Sequence, residues 1–345
     1  MNNINDIIKF LREYNGDTVT FMEVCGTHTA SIAENGIEHI VSDKINLITG
    51  PGCPVCVTVA SYIDKLCEIS LLDNHCVCSF GDMIRVKGSK ECLRDAEADG
   101  GKIKMIYSPL EVIEFAKAEP QTTFVFAAVG FETTTPLYAL LIEKLIEANI
   151  SNVKLLTAIK TMPKVIDTVL SDNDTITGML APGHVSVITG SDIFKSFAKK
   201  HQIPFVVSGF EGEEILAAIY ALIKLKGKGQ VLNLYPSAVT NEGNTLSKTK
   251  VLKYFEECDA AWRGLGIIKN SGLRLKKEFS QFDAGSDKLY EDFLPKGCSC
   301  AQVIAGKMRP EECPLFAKKC SPISPVGACM VSNEGSCFHH FMNRG

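Results

Sequence analysis

Cys25 and His28 fall in the stretch Met22-Glu23-Val24-Cys25-Gly26-Thr27-His28-Thr29, directly after an apolar run that reads as a strand. A thiolate with an imidazole three residues on suits a borderline or soft metal ion, and a helix start nearby would lower the thiol pKa. The same pair also fits a packed cysteine beside a capping histidine, because free cysteines are often simply buried. A second constellation, Gly50-Pro51-Gly52-Cys53-Pro54-Val55-Cys56, again follows an apolar run and precedes a helical pattern. Cys53 and Cys56 form a C-x-x-C pair at a helix start, which can cycle between dithiol and disulfide while the helix dipole supports the thiolate. Half of a zinc site is the other reading, and it needs partners from distant residues.

The third constellation is Cys298, Cys300, Cys313, Cys320, Cys329 and Cys337, six cysteines within forty residues. A 4Fe-4S cluster takes four thiolates, which leaves two for a further dithiol. Zinc also accepts four cysteines, but the spacings here do not pair as two close C-x-x-C knuckles, and iron-sulfur is the favoured reading. Three more segments stand at expected strand ends: Phe80-Gly81-Asp82-Met83-Ile84-Arg85, Gly130-Phe131-Glu132-Thr133-Thr134-Thr135-Pro136 and Ala181-Pro182-Gly183-His184-Val185-Ser186. Glu132 and His184 are candidates to line a cleft with the cysteines, while helix caps and turns explain such segments equally well. Cys67, Cys76, Cys78, Cys92 and Cys258 lie inside helix or strand patterns and read as structural.

These residues require elements to position them. From 18 to about 235, short β-branched or apolar runs alternate with helix-period segments, the signature of a parallel α/β architecture. Strands are expected at 18–24, 45–49, 76–80, 103–107, 123–129, 153–159, 175–180, 204–208 and 231–235. Helices are expected at 57–71, 109–118, 134–148, 162–170, 192–200 and 211–224. Nine strands exceed one small doubly wound sheet, and Glu119-Pro120-Gln121 is a plausible break, so the reading is two Rossmann-like α/β domains, 1–120 and 121–240. Val129-Gly130-Phe131-Glu132 and Ser208-Gly209-Phe210-Glu211 form a local echo, each after a strand and before a helix. A helical stretch is expected around 251–262, within a third domain, 241–345, whose Cys-rich end needs a staple in place of a large apolar core.

The chain has 345 residues, 46% apolar and 22% charged, with a formal charge of -4. That balance is globular, and the absence of a basic, aromatic-interleaved stripe argues against nucleic acid as a partner. The N-terminus, with Ile4, Ile7, Ile8 and Leu11, reads as an amphipathic helix, and no apolar run approaches the ~20 residues of a membrane span. A cytoplasmic location follows, where 14 cysteines point to metal or redox chemistry more than to disulfides. No Walker motif or dinucleotide fingerprint supports nucleotide binding.

Taken in order, EVCGTHT at 23–29, GPGCPVC at 50–56, FGDMIRV at 80–86, GFETTTP at 130–136, APGHVS at 181–186 and PVGACMVSNEGSC at 325–337 resemble the hydrogenase-maturation HypD family across nearly the whole chain. Many relatives have a second histidine just after the first motif, where this sequence has Ala30. The resemblance implies a scaffold on which the Fe(CN)2CO group of nickel-iron hydrogenase is assembled, with a HypC-type small chaperone and a HypE-type cyanide donor as partners. It implies Cys25 as the iron-binding thiolate, His28 as its neighbour and Cys53 with Cys56 as a redox-active pair. It also implies a 4Fe-4S cluster on four of the six C-terminal cysteines, with electrons passing between cluster, dithiol and iron. Two rival readings are an iron-sulfur thiol-disulfide reductase acting on a protein partner, and a docking platform with a C-terminal zinc knot.

Overall fold

The structure of the protein is a computed structural model that describes residues 3–344. Among these residues the strands, in chain order, are β1 (Val19–Glu23), β2 (Ile45–Thr49), β3 (His75–Ser79), β4 (Ile103–Met105), β5 (Thr123–Gly130), β6 (Val153–Lys160), β7 (Gly178–Ala181), β8 (Phe205–Val207), β9 (Val231–Asn233), β10 (Phe255–Trp262) and β11 (Gly266–Leu275). The nine strands expected from apolar runs are all present, with ends shifted by a few residues. The central ones are buried on both faces, as in β5, where seven of eight residues are buried, while the edge strands β4 and β9 are only partly covered. Continuous apolar runs are what strands of a covered parallel sheet require. The N-terminal helix is also present, Ile4–Arg12, with Asn3 capping it and Ile7 and Leu11 inward.

Two sheets form, and both are mainly parallel. The first has the order β2-β1-β7-β8-β9, all parallel. The second has the order β10-β11-β6-β5-β3-β4, parallel except for the hairpin β10-β11 on one edge. Sheet membership does not follow the division at residue 120. The chain lays down β1 and β2 in the first sheet, builds β3 to β6 in the second, returns for β7 to β9, and ends with the hairpin on the second.

The stretch 251–262 is not one helix. The helix Thr245–Tyr254 stops and β10 begins at the next residue. Ala, Glu and Lys in this stretch favour a helix locally, but pairing with β11, itself docked on β6, overrides that preference. The turn between the two strands uses Gly264 and Gly266 at positive φ, and Gly264 lies so close to Ala301 that a Cβ would sit 2.3 Å from that residue's Cβ. No helix among the described residues is long and apolar enough to cross a membrane.

One apolar cluster joins residues just past β1, β5, β6 and β7 to the C-terminal segment: Val24, Phe131, Met162 and Val185 pack in it with Cys300 and Trp262. Trp262 is fully buried, stacks on Phe131 at 6.0 Å and donates from Nε1 to the Ser271 hydroxyl at 2.8 Å. Replacing it with Ala removes a large core side chain at the sheet-sheet junction. The expected cost is about 3–5 kcal/mol, read as a lower urea midpoint by far-UV circular dichroism, since Trp262 is the only tryptophan; an unchanged midpoint would contradict this account of the junction.

Candidate functional site

Open parallel sheets bind ligands beyond their carboxyl ends where the strand order reverses. In the first sheet β1 has β2 on one side and β7 on the other, so residues after β1 and β7 flank such a point. Cys25 follows β1 and stands at the N-cap of the helix Gly26–Glu34, an element absent from the sequence expectation. Its thiol is buried, and burial pushes it up to about 12, while the N–H groups of His28 and Thr27 pull it the other way. A helix N-terminus contributes at most about 2 kcal/mol, which does not offset burial here. The free side chain is therefore a thiol, and becomes a thiolate only when a cation replaces its proton.

Two residues before it, Glu23 fixes the turn. Its Oε2 accepts the N–H of Cys25 at 2.8 Å and its Oε1 accepts the Thr29 hydroxyl at 2.5 Å. Burial pushes this carboxyl up to about 7 despite those bonds. Glu23 lies inside the quoted motif, and a carboxyl at a strand end beside a cysteine is the signal that marks it.

His28 is fully buried on the first turn of the helix, with Nε2 at 2.9 Å from the carbonyl oxygen of Gly209. A carbonyl only accepts, so Nε2 carries the proton and Nδ1 keeps its lone pair. That Nδ1 is buried without a partner. Such an orphan costs about 1–3 kcal/mol, a cost that a ligand at Nδ1 would remove. Burial lowers the imidazole to about 4, which keeps it neutral at pH 7.

Phe210 lies between two imidazoles. Its ring is 4.9 Å from that of His28 and 4.0 Å, stacked, from that of His184. Gly183 makes room for it, since a Cβ there would meet the Phe210 ring at 2.9 Å and the Ser208 carbonyl at 2.5 Å. His184 is thus brought to the same sheet edge as His28, joined through Phe210. The repeated Gly-Phe-Glu echo in the sequence is the trace of Phe210.

Cys53 and Cys56 are joined as a disulfide with 5.3 Å between Cα atoms, and both are buried. Their loop lies directly on the Cys25 backbone: a Cβ on Gly52 would stand 2.4 Å from the Cys25 nitrogen. Gly26 makes the matching contact on the other side, where a Cβ would be 2.5 Å from Cβ of Glu334. The dithiol loop, Gly26, Thr29, Thr49, Glu334 and Cys329 line one cavity of about 10 Å³. Burial raises the Glu334 carboxyl as well, with Asp82 adding to it.

All six C-terminal cysteines line a second cavity of about 10 Å³, together with Leu315, Phe316, Gly327 and Met330. Cys329 lines both cavities. No carboxylate or imidazole lines the second one, so its donors are soft. The thiols are crowded: Cys300 and Cys329 sulfurs are 2.8 Å apart. Sulfur hydrogen bonds from Cys298 and Cys329 hold Cys300 well below the usual thiol range, and push Cys298 and Cys329 above it. As they stand, no three His, Cys, Asp or Glu side chains among the described residues are set to hold a metal ion.

The Phe80-to-Arg85 motif clamps this segment. Asp82 accepts from the Ser332 hydroxyl at 2.9 Å and from the Asn333 N–H at 3.2 Å, and Arg85 donates to the carbonyls of Pro322 and Val331. Glu132 follows β5 of the second sheet. Its Oε1 accepts the Met162 N–H at 2.9 Å, which ties β5 to the helix Met162–Asp172, while Oε2 is buried without a partner.

A family model described as HypD, Hydrogenase formation hypA family, matches residues 2–344. The chain belongs to the HypD family of hydrogenase maturation factors. It is 36% identical over 329 residues to the hydrogenase maturation factor HypD of Azotobacter vinelandii, covering 92% of this chain and 87% of that protein. It is 35% identical to the HypD of Cupriavidus necator, covering 94% and 90%, and 36% identical to that of Rhodobacter capsulatus, covering 95% and 90%. The HypD match therefore spans both sheets and the Cys-rich segment together.

Two outcomes follow from this geometry. Gly52→Ala forces the dithiol loop off the Cys25 backbone, and the expected loss is about 1–3 kcal/mol in urea unfolding; a variant as stable as the parent would show that the contact is slack. Burial holds the Glu132 carboxyl up at about 7 in the fold, so ionising it costs stability as pH rises from about 4.5 towards 7. Glu132→Gln should accordingly melt higher than the parent at pH 8, with the difference shrinking as pH falls from about 7 to about 4.5. A difference that grows in acid would have the wrong sign.

Proposed function

We propose that this chain is the scaffold on which the Fe(CN)2CO group of nickel-iron hydrogenase is assembled, with Cys25 and His28 as the protein's ligands to the iron cargo. The observation that carries the reading is the unpartnered Nδ1 of His28, buried one helical turn from the Cys25 thiol at the carboxyl edge of the first sheet. A neutral imidazole with its other nitrogen fixed on a backbone carbonyl is the form in which histidine binds metals. Cys25 gives up its proton when iron binds. Glu23, through Thr29 and the Cys25 N–H, fixes the direction of the thiol, and the Cys53–Cys56 loop, packed on the same backbone, closes the site from water.

The resident group in this reading is a 4Fe-4S cluster on four of Cys298, Cys300, Cys313, Cys320, Cys329 and Cys337. The donor set fits it, with six soft ligands and no competing oxygen on one apolar cavity. The space is only about that of one water, so the crowded thiols would turn apart to receive it. Such a cluster supplies one-electron chemistry. A HypC-type chaperone that brings its own cysteine and a HypE-type cyanide donor are the partners, and His184 and Glu132 are candidates to serve the same cleft. The reading puts the protein in the cytoplasm, where free thiols persist.

A second reading is an iron-sulfur thiol-disulfide reductase, favoured by the cavity that Cys53 and Cys56 share with Cys329. The burial of both residues, at 5% and 2% exposed, weighs against direct attack on a protein substrate. The deciding experiment is anaerobic co-purification with the small partner, followed by infrared spectroscopy of the cyanide and carbonyl stretches. The parent should carry these bands, and Cys25→Ala and His28→Ala should lose them, with iron falling by the cargo ion alone and sulfide content unchanged. Undiminished hydrogenase maturation in Cys25→Ala would overturn the scaffold reading, and dithiol turnover without iron-bound cyanide would favour the reductase.

A further inference from the structure

Lys160 ends β6 and is only 3% exposed. Its ammonium has no hydrogen bond or ion pair among the described residues; it lies over the Trp262 ring, with Nζ 5.8 Å from the centroid, and Arg263, Cys258 and Asp292 are near enough to act on it electrostatically. A buried charge without a partner costs several kcal/mol, and proteins avoid that by pairing it or neutralising it.

The surroundings add positive charge. Arg263, 2% exposed, is close enough to act on Lys160 and donates to the carbonyls of Thr58 and Lys87. One carboxylate, Asp292, whose side chain is 20% exposed, acts on both cations, and it is already committed. It accepts the N–H groups of Ala60, Phe293 and Gly264 and lies 3.9 Å from Arg263 Nε. Burial first, and Arg263 second, lower Lys160 to about 7, so it can take up a proton when an anion arrives.

Lys160 also faces space. It lines a cavity of about 280 Å³ with Tyr62, Cys258, Arg274, Lys288 and Tyr290. The acids there are engaged at the exposed rim: Asp287 lies 4.0 Å from Arg274, whose Nε is held by Glu256 at 2.9 Å, and Asp259 accepts the Asn270 N–H at 3.0 Å. None of the candidate site residues described above lines it.

We propose that this cavity binds a small oxyanion, the carboxylate or phosphate group of a metabolite, with Lys160 at its floor and Lys288 at its rim. The volume suits a compact ligand at the small end of ordinary binding sites. The aromatic walls, Tyr62 and Tyr290, would cover its apolar part.

The test is calorimetric titration of the full chain with inorganic phosphate and, separately, succinate, at constant ionic strength set with sodium chloride. The expected result is saturable binding of at least one anion, weakened about tenfold or more in Lys160→Met, as loss of a charge-assisted hydrogen bond implies. Phosphate alone binding would identify a phosphate site, and succinate alone a carboxylate site. Without ligand, Lys160→Met should melt no lower than the parent, because a methionine removes the buried amine and keeps the stem. Failure of the parent to bind either anion, or equal binding by a folded Lys160→Met, overturns the proposal. Should that variant not fold, the parent titration decides by itself.

Discussion

Three stretches of backbone meet at Cys25 with no side chain between them, and the rest of the site depends on that contact. Gly52 lets the dithiol loop lie on the Cys25 amide, and Gly26 lets the Glu334 backbone close from the other side. A methyl group at either place would fall well inside van der Waals contact. The iron-ligand candidate, the disulfide and the C-terminal segment are thus held in one stack by the absence of atoms. Asp82 and Arg85 then secure the C-terminal segment, so that the stack is braced from the second sheet.

Burial governs the electrostatics of this region. Cys25 is held as a thiol, His28 as a neutral imidazole and Glu23 near the midpoint of its own titration at neutral pH. Burial acts three times, raising the two acids and lowering the imidazole, because desolvation opposes whichever form is charged. A site prepared in this way has little net charge. A cation bound here would exchange a proton for the metal, and the low-dielectric surroundings would strengthen that bond.

Much of the fold was legible because its strands are short apolar runs with glycine or proline at their ends. Pairing between sheets was not. Nothing local in 178–181 says that it lies beside 19–23 and not beside 153–160, since both neighbours are equally apolar. Strand β10 was misread because its residues favour a helix and only pairing with β11, itself docked on β6, makes them a strand. At the site, Cys25, His28, Cys53, Cys56 and the six C-terminal cysteines were legible as residue types in clusters. Glu23 and Phe210 act through contacts that the motifs contain but do not announce. Glu132 was legible as a residue, yet its bond to the Met162 N–H was not.

The alternation of the chain between its two sheets has a temporal meaning. As the polypeptide leaves the ribosome, β1 and β2 emerge early, but the neighbour β7 is more than a hundred residues behind. Until it arrives, one long edge of β1 offers unpaired amides, and the intervening strands must form a second sheet before the first is complete. Contacts of such sequence separation slow folding and lengthen the exposure of sheet edges. The cysteine-rich tail arrives last, which means that the thiols destined for the shared cavity meet an already assembled floor.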